Sequence, residues 1–471
     1  MPSHHTPPPG VGRRFPARRA VSVAALAALA LGAGRPVTGQ ERAVVIPSVP
    51  VDTFRLANGL RVMVSEDHSA PVVAVNVWFR AGSAYEETGR AGFARLVERL
   101  LFQRTEELEA GAVDRLVTGA GGLYSAATGP DRTALSQVLP ANRLNLALWL
   151  LGEQMSRVRI TGEAVAAQRG LMTEERRLRV ETQPYAAARL AADTLAQDYP
   201  PYRHSPVGPA ASLEGVETAE VEGFYRRYYA PANALLAVVG DATPDEVRSM
   251  ARQFLGDIDG GPPAPDLPEL PPVPRTDGER RAVVDDPLAR LPLVWIAYTI
   301  PPAAHPDRHA LELLETVLGG GSGGRLRKRL VDGVGVAVDV SSELDLRAGP
   351  GALRIGAVAG RGVGVERVEA LLEEEVARLR GEGVSDRELQ AAVNGRRSAL
   401  VGSLLTVQGK ASALQWHAFY QGSPSSLDDE MARYRAVTPE DVRRVARTYL
   451  TPENRTVVVA RPSPGPAGGG K

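Results

Sequence analysis

From Val51 onward, apolar residues recur at intervals that divide the chain into strand-length and helix-length segments. Phe54 to Ser65 alternates apolar and polar positions around Asn58-Gly59, a dipeptide suited to the positive φ values of a tight hairpin. Val72 to Phe79 predicts a second strand, and Ala91 to Phe102 has the i, i+3, i+4 spacing of a helix. Val113 to Val117 and Leu144 to Met155 read as helices, with strands at Leu123 to Ala127 and Ala134 to Leu139 between them. Residues 163–199 carry helical periodicity throughout. A helix at Ala219 to Tyr229, a strand at Asn233 to Val239 and a helix at Thr243 to Phe254 complete this stretch.

Residues 258–276 are rich in proline, which removes a backbone donor and fixes φ, so neither helix nor central strand can form there. A stiff, extended linker is the expectation. Beyond it the pattern restarts with a strand at Leu293 to Thr299 and a helix at Asp307 to Leu318. Residues 325–331, 365–380, 386–405 and 439–449 are also helical in pattern. The restart has the form of a repeat. Tyr228, Pro231 and Asn233 align with Tyr449, Pro452 and Asn454, each at an offset of 221 (449 − 228). Helix, Pro-x-Asn turn and β-branched strand recur in the same order. The predicted fold is therefore α+β, with two homologous halves of mixed sheet and helices joined by the linker into a clamshell. The expected division is 45–257, 258–276 and 277–462, followed by a flexible tail at 463–471.

The first forty residues stand apart from this pattern. Arg13, Arg14, Arg18 and Arg19 precede a run of small and apolar residues from Ala20 to Ala33, and Val37-Thr38-Gly39 offers small residues for cleavage. The run is shorter than the roughly 20 residues of a membrane span. Residues 1–40 are expected to be an export signal, or a tether if uncleaved. That places the protein in the periplasm or outside the cell, with no membrane span in the mature chain. Lys+Arg 55 balances Asp+Glu 55, so no global charge recommends nucleic acid as a partner. Without cysteine, disulfides, thiol catalysis and thiolate metal sites are excluded.

Residues 89–105 carry the most specific chemistry. Arg95, Glu98 and Arg99 have the spacing of H-x-x-E-H, the inverted zinc-peptidase motif, with arginine at both histidine positions. Together with Leu56-Ala-Asn-Gly-Leu-Arg-Val62, Ala81-Gly-Ser-Ala-Tyr-Glu-Glu87, Gly121-Gly-Leu-Tyr-Ser-Ala-Ala-Thr128 and the glycine-rich Leu318 to Leu326, this stretch resembles the insulinase/pitrilysin family. The likeness runs over residues 50–460 and is greatest to the short bacterial and mitochondrial-processing-peptidase-like members. It implies a zinc metalloendopeptidase ancestry. The implied ligand positions are Arg95, Arg99 and Glu175, the last 76 positions beyond Arg99 (175 − 99), with Glu98 in the general-base position. Ser125, Ala126, Ala127 and Thr128 match the edge strand on which such peptidases lay a peptide, though the family usually has Asn where Ser125 stands. The Arg and Tyr that the family places near the substrate carbonyl match Val331 and Val338.

A guanidinium has no free lone pair and stays protonated, so it cannot replace a histidine ligand. No cofactor is expected, although zinc is the family's. An ion-pair cluster is expected instead, because two arginines with Glu98 and Glu175 sum to zero charge. The function implied is a catalytically inactive homologue that serves as non-catalytic subunit beside an active H-x-x-E-H homologue and contacts peptide substrates. An active peptidase with atypical ligands, or a structural or peptide-binding core subunit, are the alternatives. His305 and His309 have metal-compatible spacing, but Pro306 suits the first helical turn and sets His305 at its cap. His204 is expected to be structural, as is His417 on the apolar helical stretch Leu414 to Phe419, and His68 is expected to lie in a loop. Gly319 to Gly324 lacks the Gly-Lys-Ser/Thr ending of a phosphate loop.

Overall fold

The computed structural model describes residues 48–463, apart from residue 209 and residues 263–266. The predicted export signal, and all but the first residue of the predicted tail, lie outside the described residues. The elements of the first half begin with β1 (Asp52–Arg55), β2 (Arg61–Glu66), β3 (Val72–Phe79), α1 (Phe93–Leu100) and α2 (Ala112–Gly119). They continue through β4 (Leu123–Thr128), β5 (Thr133–Pro140), α3 (Leu144–Ser156), α4 (Gly162–Arg176) and α5 (Ala186–Ala196). The half closes with α6 (Thr218–Tyr228), β6 (Ala234–Gly240) and α7 (Pro244–Leu255). The second half opens with β7 (Arg280–Asp286), β8 (Leu293–Ile300), α8 (Arg308–Gly319), β9 (Ala337–Asp345) and β10 (Gly351–Ala359). Then come α9 (Val365–Glu382), α10 (Asp386–Ser403), α11 (Val407–Tyr420), α12 (Glu430–Ala436), α13 (Pro439–Tyr449) and β11 (Arg455–Pro462).

Each half builds one mixed sheet. The first has six strands in the order β1-β2-β6-β3-β5-β4, the second five in the order β7-β11-β8-β10-β9. Without the hairpin strand β1, the two orders match strand for strand. In both, one pair is parallel (β2 with β6, β7 with β11) and the remaining neighbours are antiparallel. The offset of 221 holds for β3 and β8 (293 − 72), α5 and α11 (407 − 186), and α6 and α13 (439 − 218). The repeated asparagines do equivalent work. The Asn233 amide donates to the carbonyls of Arg80 and Tyr228, and the Asn454 amide to those of Thr299 and Tyr449. Each ties the end of a helix to the neighbouring strand.

The halves are joined by an exchange of helices. α5 lies on the second sheet, where its small face of Ala188 and Ala192 packs on Leu293, Trp295, Val458 and Ala460. α11 lies on the first sheet, and Gln415 donates to the backbone carbonyls of Asn76 and Leu235. Asp131 is a second tie. Its carboxylate accepts from the Tyr202 hydroxyl, from the Tyr420 hydroxyl at 3.1 Å and from the Ala348 N–H at 2.9 Å. These contacts bury hydrogen-bonded polar groups between the halves, which favours a single arrangement.

Some expected elements differ. The helical periodicity over 163–199 resolves into two helices, α4 and α5, separated by a wider turn at residues 177–181 and a bend at Pro184. Proline cannot continue the hydrogen-bond ladder, and Tyr185 takes φ 68 to restart the chain in a new direction. α8 is capped by Asp307, so Pro306 is not in its first turn and His305 lies in the preceding loop. β7, β9, β10 and α12 were not expected at all, and of α11 only the stretch Leu414 to Phe419 was expected to be helical.

Candidate functional site

The site is built on α1. Its core face, Phe93, Leu96, Val97 and Leu100, is buried, which turns Arg95, Glu98 and Arg99 together toward α4 and β4. The start of α1 is held by an unusual cap. Gly92 has φ +103, and a Cβ there would stand 3.1 Å from the Val207 carbonyl, so glycine fits the position. The Glu86 carboxylate, reaching from the preceding loop, accepts from the N–H groups of Gly92 at 2.8 Å and Ala94 at 2.9 Å. Burial pushes its pKa well up against these donors. Burial also pushes the His204 imidazole down; its Nδ1 is 3.5 Å from Glu86. Near the other end of the first turn, the buried Tyr229 hydroxyl donates to the Ala94 carbonyl at 3.0 Å and lies 2.9 Å from Thr133.

Arg95 is the centre of the cluster. One terminal nitrogen donates to both oxygens of Glu98, at 2.5 and 2.7 Å, and the other to both oxygens of Glu175, at 2.9 and 3.1 Å. Burial alone would lower its pKa, but the fields and hydrogen bonds of Glu98 and Glu175 outweigh it and raise it. Arg99 donates through Nε to Gln168 at 3.0 Å and through Nη1 to Glu175 at 3.2 Å. Glu98, only 4% exposed, also accepts from the Thr128 hydroxyl at the end of β4. Arg179 adds a third guanidinium, 3.0 Å from Glu175.

Thus the positions matched to three metal ligands and a base do converge. They form a hydrogen-bonded lattice of guanidinium and carboxylate groups. This donor set does not fit a zinc ion, because the guanidiniums offer no lone pair and both carboxylates already face Arg95. Among the described residues, no group of three or more His, Asp or Glu side chains is placed to hold a metal. The sequence reading missed Gln168 and Arg179, although each lies one or two turns from Glu175 along the same helical face and spacing could have found them.

β4 is the edge of the first sheet, with Leu123, Ser125 and Ala127 exposed and Tyr124, Ala126 and Thr128 half-buried. Tyr124 stacks on Phe102, so the strand runs beside α1. Val338 is an exposed residue of β9, the edge strand of the second sheet, and Val331 lies in the helical segment Arg327–Gly333 between α8 and β9. His309 is buried against Arg308 and Glu430, in a cluster that also holds Glu312 and Tyr434. His417 is buried and bonded to Ser426 at 2.7 Å, and His68 is exposed between Glu66 and Asp241. Gly319 to Gly324 makes a tight turn against Ser342, where a side chain at Gly319 would collide.

Comparison with known proteins places this architecture. The family described as Insulinase (Peptidase family M16) matches residues 61–200, and that described as Peptidase M16 inactive domain matches residues 216–396. The chain belongs to the insulinase family. Within it, a protein named zinc protease PqqE from Helicobacter pylori is 28% identical over 421 residues, 87% of this chain and 93% of the relative. An uncharacterized zinc protease of Mycobacterium tuberculosis is 28% identical over 398 residues, covering 84% and 90%. Among solved structures, a protease from Helicobacter pylori superposes with TM-score 0.83 at 25% identity, covering 88% of this chain and all of that one. A Peptidase M16 inactive domain from Pseudomonas fluorescens gives TM-score 0.80 at 21% identity, with 88% and 99% covered. The fold expected of two homologous α+β halves is the insulinase-family fold.

Proposed function

We propose that this member of the insulinase family is a catalytically silent subunit that binds extended peptide along β4 and works beside an active H-x-x-E-H homologue. The observation that carries the reading is the Arg95 guanidinium, at the position the resemblance matches to a metal ligand, donating to both Glu98 and Glu175. Glu98, in the general-base position, has neither a metal-activated water to deprotonate nor a free lone pair facing Arg95. Val331 and Val338 offer no donor to a developing oxyanion. An open edge strand keeps its backbone groups available, so peptide pairing survives the loss of chemistry. Residues 1–40 have the form of an export signal, and this reading puts the mature protein, with halves at 45–257 and 277–462, outside the cytoplasm. Among the described residues no helix is long and apolar enough to cross a membrane.

A second reading is a structural core subunit, favoured by a 26% likeness over 277 residues to the protein named cytochrome b-c1 complex subunit 1 of Bos taurus. The test is to measure zinc content and cleavage of a quenched fluorogenic peptide by the purified chain, alone and with an intact homologue from the same organism. The silent-subunit reading expects no stoichiometric zinc and no cleavage alone, with association and raised activity in the mixture. One zinc per chain that is lost in Glu175→Ala, or chelator-sensitive cleavage by the chain alone, refutes it. Failure to bind peptide or homologue leaves the structural reading.

A further inference from the structure

The charge of the cluster differs from the balance its sequence motif predicts. Arg95, Arg99 and Arg179 are all in contact with Glu175, and Arg95 also with Glu98. Three guanidiniums against two carboxylates leave one positive charge (3 − 2). The donors are unequally used. Arg95 spends its Nε and both terminal nitrogens on Glu98 and Glu175. Arg99 has partners at Nε and Nη1 only, and its Nη2 has none among the described residues. Arg179 is 65% exposed and meets Glu175 through one nitrogen. The cluster therefore has spare donors on the two arginines farthest from Glu98.

Its position gives that excess a direction. Thr128, the last residue of the open edge β4, is bonded to Glu98, and Arg95 bridges Glu98 to the carboxylate that holds Arg99 and Arg179. A peptide paired with β4 and running past Thr128 along this series of contacts would bring its terminal group toward these guanidiniums. Planar guanidinium forks match the geometry of a carboxylate and bind it by paired, charge-assisted hydrogen bonds. An ordinary internal peptide bond presents only a neutral carbonyl and does not answer the surplus charge.

We propose that the Arg95–Arg99–Arg179 cluster is a receptor for a peptide carboxylate, so that the chain selects peptides ending in a free carboxylate beside β4. This inference rests on the peptide-binding reading above and names the class of peptide bound at that same site. A carboxylate could come from the chain terminus or from an acidic side chain, and the test separates them.

The full-length chain is titrated into N-terminally fluorescein-labelled octapeptides of alternating Val and Thr, read by anisotropy at low salt. Three forms are used: the free acid, the C-terminal amide, and the amide with Glu as its last residue. The expected result is that the free acid binds about tenfold more tightly than the amide, in line with two partly exposed charge-assisted hydrogen bonds. Arg179→Gln, at an exposed position, and Arg99→Gln should each shrink that ratio, and together abolish it while amide binding persists. Tight binding of the Glu-ended amide assigns recognition to carboxylates of either source; amide-like binding by it restricts recognition to the terminus. Equal affinity of acid and amide overturns the inference while leaving peptide binding standing. No binding of any of the three overturns the peptide-binding reading itself.

Discussion

Removing the Arg95 guanidinium tests whether the cluster on α1 is held together by its ion pairs. Arg95→Met keeps the length and apolar stem of the side chain. It leaves the 4%-exposed Glu98 with Thr128, while Glu175 keeps Arg99 and Arg179. Breaking a buried pair by deleting one member costs roughly 3–5 kcal/mol, because the remaining charge has lost both water and partner. The Arg95 side chain retains 16% exposure, so water can reach the vacated space, which sets the expectation at the low end, about 3 kcal/mol. Glu98→Gln leaves Arg95 still paired with Glu175 and should cost about 1–2 kcal/mol. In the double variant no lone carboxylate remains near Thr128, so the two losses should fall short of additivity by about 2 kcal/mol. Equilibrium urea unfolding of the four proteins gives this coupling directly. Additive losses, or an Arg95→Met variant within about 0.5 kcal/mol of the parent, would show a solvated surface network and refute the reasoning.

Other expectations follow from different parts of the molecule. Burial beside Arg308, Arg433 and His309 pushes His417 down to about 4 from its ordinary 6.5, against the opposing field of Glu430. As pH falls the unfolded chain takes up this proton first, so stability is full above about 6.5 and declines toward pH 4, by at most about 3 kcal/mol. His417→Gln should flatten that limb of a stability–pH curve, and an unchanged curve would remove His417 from the account. Asp131→Ala should strand the Tyr202 and Tyr420 hydroxyls and the Ala348 N–H, costing about 3 kcal/mol by urea unfolding; a neutral effect would mean that the halves are held by packing alone. Arg95→His with Arg99→His should restore zinc binding, measured by elemental analysis, more readily than peptide cleavage. If Val331 and Val338 stand at the family's donor positions, as the resemblance implies, each missing donor withholds roughly 3–4 kcal/mol of oxyanion stabilisation, so brisk cleavage by this double variant would sink the argument.

The legibility of the chain depended on how locally each feature is written. The duplication could be read because Tyr228, Pro231 and Asn233, and their counterparts 221 positions on, each serve a neighbouring helix end and strand. β9 could not, because its residues are mostly exposed or half-buried and include Asp339, Ser341, Ser342, Glu343 and Asp345, which do not alternate cleanly. α11 could be read only around His417, for the opposite reason. It is wrapped by the first sheet on one side and by its own half on the other, with Val407, Ala411, Leu414, Gln415, His417, Ala418 and Tyr420 all buried, so no polar stripe marks its face.

The sequence by itself determined the family frame, the two α+β halves, and that arginines stand at the positions the resemblance matches to metal ligands. Those follow from residue identity and short-range spacing, which survive any tertiary arrangement. The pairing of Arg95 and Arg99 with Glu98 and Glu175 was expected from the resemblance; only the tertiary structure decided that Gln168 and Arg179 join it and that Thr128 of β4 closes on Glu98. It also decided the exchange of α5 and α11 between the halves. These contacts link residues up to hundreds of positions apart, and their energies arise from burial and mutual desolvation. Neither quantity has a value until the chain has folded around them.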